Sequence, residues 1–136
     1  VRPLAALLLL LAGCSAPEPA DRDASSAAPA AAPIALTAAM GEAVFRRCTA
    51  CHTIDKGGRN GVGPNLHGLV GRAVAAAPNF GYSPAMRAKG GVWDEATLDA
   101  YLKAPAQVVP GGRMAFAGIA EDAERKALIL YLAEQK

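Results

Sequence analysis

The five residues Cys48-Thr49-Ala50-Cys51-His52 constrain this chain more than any other feature. They spell C-x-x-C-H, the pattern through which a c-type haem is attached covalently to a polypeptide. Haem chemistry accounts for both the residue types and the spacing. Two thiols one helical turn apart can add to the two vinyl groups on one edge of a porphyrin, and the adjoining histidine is then held under the iron as proximal ligand. A chain with such a site carries electrons or binds a ligand at iron, and its fold has to wrap a large, flat, apolar group.

Other uses of C-x-x-C fit less well. A structural zinc site needs four Cys or His ligands, usually with a second close pair. Beyond the motif the chain offers only Cys14, in a leucine-rich leader, and His67. A thioredoxin-like dithiol sits in a βαβ pattern, and no such pattern surrounds this motif. The formal net charge of +2 is too small to point to nucleic acid. Aromatic residues make up only 5% of the chain, so the polypeptide alone has a thin core. A haem would supply the missing apolar mass, and the chain without it should fold poorly.

Composition divides the chain into three. Residues 1–13 read as an export signal: Arg2 supplies the charge, and residues 4–12 form an apolar run too short for a bilayer, which takes about 20 such residues. Val1 fits an alternative start codon. The leader ends Leu11-Ala12-Gly13-Cys14, which resembles the L-A-G-C cleavage site of bacterial lipoproteins. Cys14 would then be the lipidated new N-terminus, and its several acyl chains would anchor stably to a membrane. The other reading is an ordinary signal with an incidental cysteine. Residues 14–35 are lipidated Cys14 followed by an Ala/Pro-rich linker without apolar periodicity, expected to be flexible. Extended at ~3.1 Å per residue it would reach on the order of 60 Å.

Residues 36–136 form the domain. Met40, Val44 and Phe45 fall on one helical face leading into the motif. Residues 53–84 are rich in Gly, Pro and Asn and read as loop. Asp94 is placed to cap a helix carrying Leu98, Tyr101 and Leu102 and stopped by Pro105. Residues 121–134 form an amphipathic helix that directs Leu128, Tyr131 and Leu132 inward. No strand alternation is visible, so the domain is expected to be all-α with long loops.

A histidine on one side of the iron leaves a sixth position, with His67, Met40, Met86 and Met114 as candidates. Met114 is favoured because it lies far enough beyond His52 to reach around the haem. It also follows Pro110-Gly111-Gly112, a turn whose backbone can approach a flat group closely. A thioether suits ferrous iron and His/Met ligation raises the reduction potential. Any methionine is also a good core filler, so spacing alone leaves the choice open.

From residue 41 to residue 134 the chain resembles class I cytochrome c of the mitochondrial and soluble bacterial kind. The matching pieces occur in order: Cys48-Thr-Ala-Cys-His52-Thr53, Gly63-Pro64-Asn65-Leu66-His67-Gly68-Leu69-Val70-Gly71-Arg72, Tyr82, Trp93, Tyr101-Leu102 with Pro105, Val109-Pro110-Gly111-Gly112-Arg113-Met114, Phe116-Ala117-Gly118-Ile119, and Leu128-Ile129-Leu130-Tyr131-Leu132. The resemblance implies a small fold of four to five helices and long loops around one haem c, bound through Cys48 and Cys51. It implies iron ligation by His52 and Met114, with the Pro64 carbonyl accepting the other ring N–H of His52 and the Tyr101 hydroxyl near the methionine sulfur. Arg72, Tyr82 and Trp93 would hold a buried haem propionate, and Phe116 would cover the haem near its exposed edge. Gly41, Phe45, Leu128 and Tyr131 would form the crossing of the first and last helices. His67 would be a loop residue.

The chain departs from the family in two places. Mitochondrial relatives ring the haem edge with lysines. Here Arg47 and Arg113 remain, while Gly61, Ala106, Gln107, Ala120 and Glu121 occupy other positions of the ring, and Val108, Val109, Ala115 and Phe116 make its surroundings apolar. Steering by charge should therefore be weak. Met86 stands where such relatives often have an asparagine, so no role is carried over to it.

The implied function is one-electron transfer, without enzymatic turnover, between respiratory or photosynthetic membrane complexes. The donor would be a cytochrome bc-type complex, and the acceptor a haem–copper oxidase or photosynthetic reaction centre. The protein would be a monomer, lipid-anchored on the periplasmic side of a bacterial membrane, the inner in preference to the outer. The alternatives are a peroxidase-like haem enzyme or gas-binding protein, which needs an open distal site, and a structural or assembly lipoprotein.

Overall fold

The computed structural model describes residues 35–136. The leader, Cys14 and all of the linker but Ala35 lie outside the described residues. The described part contains five helices and a single isolated antiparallel bridge, Ala73 with Val92.

Helix α1 spans Ala38–Phe45, and the Thr37 hydroxyl caps it by accepting from the Met40 N–H at 3.3 Å. Its inward face carries Gly41, Val44 and Phe45. Met40, expected on that face, is instead 36% exposed. The reason is close helix packing: α1 meets the last helix at Gly41, where a Cβ would overlap the Ala127 backbone carbonyl, so a glycine takes the inward place.

Helix α2, Pro84–Lys89, begins at the last residue of the stretch read as loop. It buries no residue of its own, so it leaves no apolar period in the sequence. Local chemistry starts it, with Pro84 at the first position and the Ser83 hydroxyl accepting from the Met86 N–H at 3.1 Å. Ser83 is buried. Ser83→Ala is expected to lower global stability by about 1 kcal/mol, read from denaturant unfolding of the haem-bound protein.

Helix α3, Glu95–Lys103, is capped by Asp94 as expected, with the carboxylate accepting from the Thr97 N–H at 2.7 Å. It buries Leu98, Tyr101 and Leu102. The chain breaks at Ala104, and Pro105 opens the short helix α4, Pro105–Val108. Val109, expected among the apolar surroundings of the haem edge, is 3% exposed and belongs to the core. It follows α4 directly, and that turn drives it inward.

Helix α5, Asp122–Glu134, packs on α1 and on α3. Leu128, Ile129 and Leu132 are its buried apolar ridge, and Tyr131 meets Phe45 with ring centroids 5.4 Å apart.

Three carboxyls are held below their ordinary range. The Thr97 N–H does so for Asp94, the Arg125 guanidinium for Asp122 and the Arg47 guanidinium for Glu124. The unfolded chain therefore binds more protons in acid. The stability these groups add is present above the ordinary carboxylate range and is lost as pH falls through the lowered folded values. All three lie in solvent, so each adds little. The melting temperature of the haem-bound protein should be flat near neutrality and decline below about pH 4.

Candidate haem site

The C-x-x-C-H motif continues the helical winding beyond α1. Backbone N–H groups of Cys51 and His52 both donate to the Cys48 carbonyl, at 3.0 and 2.9 Å. This turn brings Cys48, Cys51 and His52 to the wall of one cavity of about 390 Å³, with neither cysteine in a disulfide. Burial pushes the Cys48 thiol up, and the neighbouring Arg47 pulls it back. The rest of the wall is largely apolar, with Leu66, Leu69, Leu98, Leu128 and Leu132 among its residues. Its size falls within the range of small-molecule and cofactor sites.

His52 is oriented from behind. Its Nδ1 lies 2.7 Å from the Pro64 carbonyl oxygen. That oxygen can only accept, so Nδ1 carries the proton and the Nε2 lone pair is free for a metal. Burial pushes the imidazole below its usual range, against the Pro64 bond, which raises it. The neutral ring is the form that ligates.

The Pro64 carbonyl is held by a net of asparagines that the sequence reading passed over. The Asn65 N–H donates to Asn60 Oδ1 at 2.9 Å, Asn65 Nδ2 to Thr53 Oγ1 at 2.7 Å, and Asn60 Nδ2 to the Pro78 carbonyl at 3.0 Å. Gly63 precedes Pro64 in the same loop. A Cβ there would overlap the His52 ring, so its lack of a side chain lets the loop lie flat on the imidazole.

Met114 enters the same cavity from the segment before α5, and the Tyr101 hydroxyl points to its Sδ at 3.8 Å. Burial raises the Tyr101 phenol above its usual range, which keeps it a donor. Of the other methionines, Met86 also lines the cavity, while Met40 does not. His67 lies in the loop, with its N–H donating to Asn65 Oδ1 at 3.0 Å, and is absent from the wall.

The three residues expected at a propionate are placed unequally. Trp93 is a buried wall residue packed against Tyr101, with ring centroids 5.0 Å apart and planes tilted by 47°. Tyr82 lines the wall, and its hydroxyl accepts from the Ala77 N–H at 3.3 Å. Arg72 stands outside the wall. Its guanidinium donates to the His67 and Asn65 carbonyls at 3.2 and 3.1 Å. Its Nε is buried and has no partner among the described residues. A buried N–H left over is what a carboxylate would satisfy. Phe116 is half-buried at the cavity. The thiol pair, the free imidazole nitrogen and the thioether, all on one wall, together fit a haem.

Comparison with known proteins agrees. The sequence matches the Cytochrome c family over residues 38–136. Cytochrome c2 of Agrobacterium tumefaciens is 46% identical over 97 residues, covering 69% of this chain and 87% of that protein. Cytochrome c-550 of Bradyrhizobium diazoefficiens is 44% identical over 97 residues, covering 71% of each. The solved structure of cytochrome cH from Methylobacterium extorquens superposes with a TM-score of 0.68 at 39% identity, covering 72% of this chain and 98% of that one. The chain therefore belongs to the cytochrome c family, as a class I member with haem c attached through Cys48 and Cys51, and it is an electron carrier rather than an enzyme.

Proposed function

We propose that this protein carries single electrons between membrane complexes, with His52 and Met114 as the two axial ligands. The observation that carries this is that His52, oriented by Pro64, and Met114, hydrogen-bonded by Tyr101, line one largely apolar cavity. When bound, haem supplies the one-electron couple. The chain orients the imidazole through Pro64, holds the thioether through Tyr101 and keeps water from the cavity with leucines. Two protein ligands leave no position for a substrate. The test is the visible spectrum of the haem-bound protein. A methionine–iron charge-transfer band in the ferric form and no carbon monoxide binding at neutral pH are expected, whereas carbon monoxide binding would overturn the ligation.

The donor is a cytochrome bc-type complex, and the acceptor a haem–copper oxidase or photosynthetic reaction centre. Cys14 anchors the carrier by lipid on the periplasmic side of the inner membrane, and the linker gives it reach. The cavity lining supports a docking face of low charge: among the described residues, Arg47 and Arg113 are the Arg or Lys side chains that line it, and no Asp or Glu does. Arg47 is neutralised by a two-point ion pair with Glu124, both bonds at 2.8 Å. Beside them Val62 is 82% exposed and Ala115 is exposed. A tethered carrier has a high effective concentration near its partner and needs little electrostatic capture. Oxidation by membranes of the parent cell should thus change little with ionic strength, and a steep fall with added salt would sink this docking mode. Truncation before residue 36 should slow the reaction without altering its salt dependence.

A further inference from the structure

Arg125 is the most completely buried charged side chain among the described residues, at 2% exposure, and nothing in the ligation scheme uses it. Its guanidinium ties three parts of the molecule together. From α5, Nε donates to Asp99 Oδ1 on α3 at 2.8 Å. Nη1 donates to the Ile119 and Ala120 carbonyls at 2.9 and 2.7 Å, in the segment that follows Met114. Nη2 bonds Asp122 at the start of α5. A planar fork can hold such a set, whereas a point charge cannot.

Two of those parts converge on the methionine. Asp99 sits two residues before Tyr101, whose hydroxyl points to Met114 Sδ. Ile119 also donates its N–H to the Leu102 carbonyl at 2.9 Å. Gly118, at φ +104°, lies so close to the Lys103 carbonyl that a Cβ would overlap it. The segment 118–120 is thus pressed between the end of α3 and the Arg125 fork, and Met114 hangs from its near end.

We propose that Arg125 is a positioning residue for Met114: one guanidinium sets the register between α3, which carries the hydroxyl, and the segment that carries the sulfur. This rests on the reading of Met114 as axial ligand. A ligand that leaves iron even part of the time admits a competitor, and the apparent affinity of the competitor scales with the fraction of molecules open to it.

The experiment measures imidazole binding to the ferric haem-bound protein by visible spectroscopy. Arg125→Lys keeps the charge and loses the fork, and Asp99→Asn removes one charged contact. Met114→Ala sets the fully open limit, and Val44→Ala lowers stability through the α1 packing without touching the clamp. Loss of charge-assisted bonds should make imidazole bind about tenfold more tightly to Arg125→Lys, with a smaller gain for Asp99→Asn and none for Val44→Ala. Should Arg125→Lys fail to hold haem, Asp99→Asn decides by the same criterion. Unchanged affinity in the clamp variants, or an equal gain in Val44→Ala, overturns the clamp alone. If Met114→Ala binds imidazole no more tightly than the parent, the ligation fails and the clamp with it.

Discussion

Met114→Ala should abolish the methionine–iron charge-transfer band, open the haem to carbon monoxide and lower the reduction potential. The side chain cannot be replaced from nearby. The Tyr101 hydroxyl reaches Met114 Sδ at 3.8 Å, and the only other methionine on the cavity wall, Met86, belongs to α2. Thioether ligation favours the ferrous state, and axial ligands set haem potentials over about 0.8 V. A fall on the order of a few tenths of a volt is therefore expected, measured by spectroelectrochemical titration. Haem should stay attached, because the two thiols lie on a separate segment of chain. The variant would then behave as an open-site haem protein. A potential unchanged from the parent would show that another group holds the sixth position.

The second large effect is on stability. At Gly41 a Cβ would overlap both the backbone carbonyl of Ala127 and the Cβ of Tyr131. The obstacle is helix backbone, which cannot rotate away as a side chain can. α1 and α5 must separate, and Val44, Phe45, Leu128 and Leu132, all buried, lose their packing. Gly41→Ala is expected to cost about 3 kcal/mol, the upper end for overpacking. Gly41→Val should exceed about 4 kcal/mol, where single substitutions become exceptional. Denaturant unfolding of the haem-bound forms checks both. A loss below that of Ser83→Ala would mean that the helices can slide apart cheaply.

Much of the site is legible because its determinants are local. C-x-x-C-H is five consecutive residues, and one helical turn is enough to bring its groups to one wall. Asp94 caps α3 through a carboxylate three residues from the N–H it accepts, so cap and helix are visible together. The inward faces of α3 and α5 follow from a period of 3.6 residues. Helix α2 left no apolar period because none of its residues is fully buried, and Met40 was misplaced because a short apolar period cannot tell an inward residue from its neighbour.

The sequence by itself therefore determined the cofactor and its attachment, since covalent chemistry demands two thiols at that spacing. It also determined three of the five helices. Only the tertiary structure decided which charges are spent and which are free. Arg125 looks like any helix-surface arginine until α3 and the segment 119–120 close over it. Arg47 looks like a docking charge until Glu124, far along the chain, neutralises it. Arg72 looks like a simple anion donor until the carbonyls of Asn65 and His67 take most of its fork and leave Nε over. A charged side chain acts through whatever lies within a few ångströms of it, and for these three arginines the deciding neighbours are brought there by folding.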